Sequence, residues 1–187
     1  MTGPFTILHV CMGNICRSPM AERLTALALG DTIYTHSAGT GGWHEGEEMN
    51  PPAARQVLAR GGTVDGFGAR KLRAEHIDSA DLILTATADQ AEYVNALRPD
   101  AADRTFVLGE FGRLLAAVDT AVLPSTSDIH GRGVALVQAV AKLRGDTPPL
   151  PQDDLDDPWG RGDPVFSRVA DEIQATVTPL AAALRGN

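Results

Sequence analysis

The architecture of this chain follows from its first strand–loop–helix unit, which begins Phe5-Thr6-Ile7-Leu8-His9-Val10-Cys11-Met12-Gly13-Asn14-Ile15-Cys16-Arg17-Ser18-Pro19. The apolar run at residues 5–10 predicts a buried strand, and the pattern at residues 19–29 predicts a helix with Leu24, Leu27 and Ala28 facing inward. A tight loop joins them, with Cys11 where the strand ends and Arg17 where the helix opens. Such a loop can turn backbone N–H groups inward at a helix N-terminus, so the unit predicts an anion-binding site.

The two side chains that frame this loop suit phosphate chemistry. Arg17 can grip a phosphate through two parallel hydrogen bonds. Cys11 would lie beneath that phosphate, where the same positive field favours its thiolate. The layout therefore predicts attack of sulfur on phosphorus.

The other loop residues favour the same interpretation. Gly13 lets the backbone come close to an anion, and Asn14 tolerates the left-handed conformation that an anion-binding loop needs. Ser18 is expected to cap the helix, with Pro19 at its first position. A bare Cys-x5-Arg pattern also fits a buried cysteine and a solvated arginine, and it is the agreement of these four residues that favours the phosphate site.

Outward from this unit, strands alternate with helices along the chain. Further strands are predicted at 32–36, 81–85 and 105–108, and further helices at 52–60, 89–97, 110–118, 131–143 and 164–185. The alternation predicts an α/β fold, a single three-layer α/β/α domain over residues 1–187 with a central four-stranded parallel sheet. Ligands of such sheets bind at the carboxyl ends of the strands, so Cys11, Ser37 and Thr85 are expected to converge there.

Composition limits the classes of function. The formal net charge is −8, with 43% hydrophobic and 21% charged residues, which argues against nucleic acid and anionic membranes as partners. Neither a signal peptide nor a membrane-spanning run is apparent, so a cytoplasmic location is expected. Both cysteines, Cys11 and Cys16, lie in the loop, which favours a reactive thiol pair over a structural disulfide. No metal or other cofactor is expected, because no further Cys/His cluster completes a ligand set.

The run from Val10 to Glu22 resembles the signature of the low-molecular-weight protein tyrosine phosphatases. Three further matches follow in the family's order: Ser37-Ala38-Gly39-Thr40 with Trp43 and Gly46, then Asp81-Leu82-Ile83-Leu84, then Asp157-Pro158-Trp159-Gly160. Residues 111–151, which are predicted to be mainly helical, have no recognised counterpart.

The resemblance implies hydrolysis of phosphotyrosine in proteins through a phosphocysteine on Cys11, with Arg17 binding phosphate or other oxyanions. It implies that Ser18 donates a hydrogen bond to the sulfur and that Asn14 and Ser37 brace the loop. The implied phosphate-binding loop comprises Met12, Gly13, Asn14, Ile15, Cys16 and Ser18.

Departure of a phenolate requires a proton, which a carboxylic acid can give. Residues 153–157 offer Asp153, Asp154, Asp156 and Asp157, and the last of these matches the family's acid, which directly precedes a proline. The resemblance also places Trp43 and Trp159 as walls beside a substrate ring. Cys16 is close enough in sequence to shield Cys11 through a reversible disulfide.

Three alternatives stay open. Arginine-phosphate phosphatases of the same superfamily carry Thr where this chain has Ile15, so Ile15 favours tyrosine, whereas the single aromatic residue before Gly160 weakens that preference. A thiol-dependent arsenate reductase needs more cysteines downstream, and the chain has none after Cys16. A non-catalytic phosphoprotein-binding module does not need both Cys11 and Asp157, so the presence of both argues against that alternative.

The sequence also departs from the family pattern. The family's His-x-Ala-Arg element appears here as Phe67-Gly68-Ala69-Arg70.

Overall fold

A computed structural model describes residues 3–187. Four parallel strands form one sheet in the order β2-β1-β3-β4, namely β1 (Phe5–Cys11), β2 (Ile33–Gly39), β3 (Leu82–Thr85) and β4 (Thr105–Val107). The α-helices are α1 (Arg17–Leu29), α2 (Pro51–Ala59), α3 (Ala74–Asp78), α4 (Ala88–Leu97), α5 (Leu108–Leu115), α6 (Ile129–Arg144) and α7 (Asp163–Arg185). The predicted three-layer α/β/α fold with a four-stranded parallel sheet is confirmed.

The central strand β1 is buried along its whole length. Its side chains alternate between two apolar clusters because successive residues of a strand point to opposite faces. Phe5 and Ile7 join the larger cluster, which includes residues of α1, α2, α5, α6 and α7, whereas Leu8 and Val10 join the smaller one, with residues of α3 and α4. The helices therefore cover both faces of the sheet and leave its carboxyl edge for the loops.

The segment at residues 111–151 packs onto this framework through α6. Gly133 lies against the ring of Phe5, so close that a Cβ there would come within 2.5 Å of the ring. Arg132 is buried, and its Nε donates to the carbonyl oxygen of Ala183 in α7 at 2.7 Å. This segment thus covers one end of the sheet and joins it to the last helix.

The structure departs from the sequence-based expectations at several points. Helix α1 starts at Arg17, so Ser18 does not cap it and Pro19 is its third residue. Helix α3 was not predicted. Leu27 was expected to face inward but is 45% exposed, whereas Leu24 is buried as expected.

Within residues 3–187, no helix combines the length and the apolar composition that a membrane crossing requires.

Candidate active site

The loop at residues 11–18 has the geometry of an anion site. Cys11 ends β1 opposite Gly39, and it is almost fully buried at the bottom of the loop. Helix α1 follows, and the side chain of its cap residue, Cys16, accepts no hydrogen bond from the first N–H groups of the helix. Unpaired donors at a helix N-terminus attract negative charge, and Asn14 provides the left-handed turn that exposes them, with a φ of 56°.

Asn14 orients the hydroxyl group beside the sulfur. The backbone N–H of Arg70 donates to Asn14 Oδ1 at 2.9 Å, which leaves Nδ2 to donate to Ser18 Oγ and Ser37 Oγ, each at 2.9 Å. Ser18 Oγ lies 2.9 Å from Cys11 Sγ. Because the Ser18 hydroxyl already accepts a hydrogen bond from the Asn14 amide, its own proton is available to the sulfur. The hydroxyl that was expected to cap α1 therefore contacts Cys11 instead.

The Arg17 side chain is buried and contacts residues 155 and 157. Its NH1 donates to the carbonyl oxygen of Leu155 at 3.1 Å, and its NH2 lies 3.9 Å from Asp157 Oδ2. The N–H of Leu155 in turn donates to the carbonyl oxygen of Ala86, just beyond β3, at 2.8 Å. Arg17 and residues 153–157, the acid loop, are thereby fixed with respect to each other.

The first two carboxylates of the acid loop have structural partners. Asp153 is buried and accepts two hydrogen bonds from Arg113, at 3.2 and 2.9 Å. Burial alone would raise the pKa of Asp153, but the bonds from Arg113 and from the N–H of Leu150 hold it below its ordinary value. Asp154 Oδ1 accepts the N–H of Ala88 at the start of α4 at 2.8 Å. Neither Asp153 nor Asp154 lines the cavity above residues 11–18.

Of the other two carboxylates, only Asp157 faces the anion site. Asp156 Oδ2 accepts from Arg161 and Arg168 at 2.6 and 2.7 Å, and these bonds lower its pKa. Asp157 is 54% exposed, and its Oδ1 accepts the N–H of Trp159 at 3.1 Å. The structure thus brings Asp157, among the four candidates, to the mouth above Cys11.

A cavity of about 190 Å³ opens above the loop. The loop forms its floor, with Cys11, Met12, Gly13, Ile15, Cys16 and Arg17, and the rest of its lining comes from Trp43, His44, Asp157 and Trp159. The tryptophans are 71% and 60% exposed, so they are not core residues. Trp43 lies over Gly41, where any Cβ would collide with its ring.

Cys16 is a buried neighbour of the proposed nucleophile. Burial raises the pKa of its thiol to about 12, with Cys11 and Asp157 adding to the shift and Arg17 opposing it. Both cysteines are free thiols. Cys16 is therefore protonated near neutral pH, which suits a passive role during turnover.

Comparison with known proteins identifies the family. The family model for low molecular weight phosphotyrosine protein phosphatases matches residues 6–123. The chain belongs to this family. A low molecular weight protein-tyrosine-phosphatase of Streptomyces coelicolor is 36% identical over 130 residues, 67% of this chain and 76% of that protein. YfkJ of Bacillus subtilis, of the same description, is 36% identical over 136 residues, 68% of this chain and 82% of its own.

Among solved structures, the YwlE arginine phosphatase of Geobacillus stearothermophilus superposes with a TM-score of 0.72 at 27% identity, over 98% of this chain and 94% of that one. As a member of the low-molecular-weight protein tyrosine phosphatases, the chain is a phosphoric monoester hydrolase.

Two residues of the site had no role assigned from sequence. His44 forms part of the cavity wall, with its Nδ1 2.7 Å from Glu47 Oε2. Glu22 accepts the hydroxyl of Ser37 at 2.9 Å beneath the loop. Glu22 lies inside the phosphatase signature, and that position is the only feature of the sequence that could have indicated a role for it. No feature of the sequence indicates a role for His44.

Proposed function

We propose that this phosphatase removes phosphate from phosphotyrosine in proteins through a phosphocysteine on Cys11. The observation that carries the proposal is the placement of Cys11 Sγ below an uncapped helix N-terminus, with the Ser18 hydroxyl 2.9 Å away. Donors fixed around a tetrahedral oxyanion stabilise the charge that develops during in-line transfer. Sulfur at the bottom of such a cradle is aligned behind the phosphorus.

In the first step, the Cys11 thiolate attacks phosphorus and an S–P bond forms as the P–O bond to the phenol breaks. The Arg17 fork holds two equatorial oxygens, and the loop N–H groups hold the remaining charge. The Asp157 carboxylic acid gives its proton to the departing phenolate. The products of this step are tyrosine and phosphocysteine.

In the second step, water attacks phosphorus and the S–P bond breaks. The Asp157 carboxylate accepts the proton of that water, which returns the acid to its starting form. The Ser18 hydroxyl, oriented by Asn14, donates to the sulfur as it leaves with the electron pair. Phosphate is released and the Cys11 thiolate is restored.

The cavity suits one side chain of a larger substrate. Its volume of about 190 Å³ lies below the roughly 300–1,000 Å³ of pockets that enclose whole small ligands. The exposed faces of Trp43 and Trp159 can flank an aromatic ring that enters between them, while the rest of the protein substrate stays outside. We place this activity in the cytoplasm, because a free, unpaired Cys11–Cys16 couple fits a reducing compartment.

Phosphoarginine is the second candidate substrate, favoured by the likeness to the YwlE arginine phosphatase. Ile15, a buried and apolar part of the cavity floor, favours tyrosine over it. The test compares kcat/KM on phosphotyrosine and phosphoarginine peptides for the wild type and Ile15→Thr. We expect the wild type to prefer phosphotyrosine and the variant to lose part of that preference. A wild type that prefers phosphoarginine would contradict the proposed substrate.

A further inference from the structure

A carboxylate is buried directly beneath the phosphate-binding loop. Glu22 lies in α1 and is almost inaccessible to solvent. Its Oε1 accepts the hydroxyl of Ser37 at 2.9 Å, and its Oε2 lies 2.7 Å from Nε of Arg23. Within residues 3–187, Arg23 is the only cationic side chain within 4 Å of this carboxylate. Removal of one partner from such a buried ion pair leaves the other charge without compensation.

Arg23 connects this carboxylate to residues 63–67, the clamp loop. Its NH1 donates to the carbonyl oxygens of Asp65 and Thr63, at 3.0 and 3.4 Å. Its guanidinium carbon lies 5.7 Å from the ring centroid of Phe67, within cation–π range. The side chain is only 16% exposed, so these contacts hold the guanidinium in one position beside Glu22.

A chain of hydrogen bonds links the Glu22 carboxylate to the Cys11 sulfur. A carboxylate can only accept, so Ser37 must donate to it and is left to accept from the Asn14 amide. The same amide donates to Ser18, whose proton then has the Cys11 sulfur as its acceptor. Because the N–H of Arg70 fixes which way the Asn14 amide points, Glu22 determines how firmly Ser37 holds that amide, and a Glu22 without its cation would hold it less firmly.

We infer that Arg23 and Glu22 form a positioning pair that keeps the Ser18 proton directed at the Cys11 thiolate. The inference rests on the proposed role of Cys11 as nucleophile. Arg23 touches neither the cavity nor the loop, and it acts through Glu22, Ser37 and Asn14. Loss of its charge is therefore expected to make the thiolate harder to form, which differs from a general loss of stability.

The test measures the rate at which iodoacetate alkylates Cys11 as a function of pH, with the modified residue located by peptide mass spectrometry. Arg23→Ala and Arg23→Gln both remove the charge, and Arg23→Lys keeps it. We expect the first two to move the midpoint of the alkylation profile up by about one pH unit, the size for weakening one hydrogen bond to a charged group. Arg23→Lys should restore most of that shift.

Arg60 offers a matched control. It is 15% exposed and also forms one ion pair, at 2.6 Å with Asp171, but it joins α2 to α7 away from the loop. Arg60→Ala should therefore lower the melting temperature without moving the midpoint. A midpoint in Arg23→Gln equal to that of Arg60→Ala would overturn the inference, as would a Lys variant that shifts as far as Gln.

A double-mutant cycle with Glu22→Gln tests the route of the effect. If Arg23 acts through Glu22, then Arg23→Ala adds no further shift in the Glu22→Gln background, whereas additive shifts would contradict the pairing. Alkylation needs no turnover, so it separates two failures. Normal Cys11 alkylation with an unmoved midpoint overturns the positioning pair alone, whereas full activity after alkylation of Cys11 overturns the proposed nucleophile.

Discussion

Replacement of Asp157 by asparagine should slow the enzyme more for substrates whose leaving group is more basic and therefore depends more on protonation. An amide cannot supply the acid proton, and loss of general-acid catalysis typically costs about 10²–10⁴-fold. At about 1.36 kcal/mol for each factor of ten, that is about 3–5 kcal/mol of transition-state stabilisation for an unactivated phenol. An activated nitrophenolate leaves without a proton, so its release should be much less affected.

The surroundings of Asp157 make this substitution a clean one. Its side chain is 54% exposed, and the Trp159 N–H that it accepts can be accepted equally by an asparagine oxygen. The free energy of unfolding should therefore change by less than about 0.5 kcal/mol, as for other surface substitutions. Any large loss of rate then reports on chemistry.

The assay is kcat/KM over a series of aryl phosphates that spans leaving groups from nitrophenol to unsubstituted phenol. Asp156→Asn is the matched control, since Asp156 belongs to the same loop, is 44% exposed, and is bound to Arg161 and Arg168 outside the cavity. For the control, the ratio of its kcat/KM to that of the wild type should be the same for every leaving group in the series. An equal loss on all leaving groups in Asp157→Asn, or a leaving-group dependence in Asp156→Asn, would refute the reasoning.

Three further perturbations have defined outcomes. Arg17→Lys should lower kcat/KM nearly as much as loss of the nucleophile, since an ammonium cannot reproduce the bidentate fork; unchanged kcat and KM with an aryl phosphate would make Arg17 a bystander. Cys16→Ser should keep most basal activity but lose thiol-reversible recovery from peroxide, and sulfinic or sulfonic Cys11 without a cross-linked peptide in peroxide-treated wild type would contradict a protective disulfide. Burial, followed by the charge of His36, lowers the pKa of His9 to about 3, below its ordinary 6.5. The unfolded chain therefore binds a proton that the native state refuses between these values, and stability falls as pH falls through that window, by about 2 kcal/mol from pH 7 to pH 5. Urea unfolding of His9→Gln should show a smaller loss over that range, and an equal loss would contradict this assignment.

The parts of the fold that are local in sequence were predicted well. The strand–loop–helix unit around Cys11 depends on residues within about twenty positions, and an apolar run, turn residues and a helical period mark each piece. Short α3 was missed because five residues are too few to show a period. Leu27 was placed wrongly because α7 and the sheet, far away in sequence, decide which side of α1 is covered.

The site shows the same division. A loop that binds an anion can be predicted from Cys11 and Arg17, yet four adjacent carboxylates are chemically alike. Their partners distinguish them only in three dimensions: Arg113 is 40 residues from Asp153, and Ala88 is 66 residues from Asp154. The contact of Glu22 with Ser37, and that of Arg23 with the clamp loop, likewise join segments that no sequence period relates.

The phosphocysteine itself provides the most direct test of the proposed chemistry. Asp157→Asn, which lacks the base for the second step, is mixed with an activated aryl phosphate, quenched in acid within the first turnover, and mapped by peptide mass spectrometry. The proposed mechanism predicts one phosphoryl group on Cys11, and none on a Cys11→Ser variant that has lost turnover. Phosphate on any other residue, or more than about a tenth of wild-type activity in Cys11→Ser, would contradict it, because a hydroxyl is a far weaker nucleophile at neutral pH.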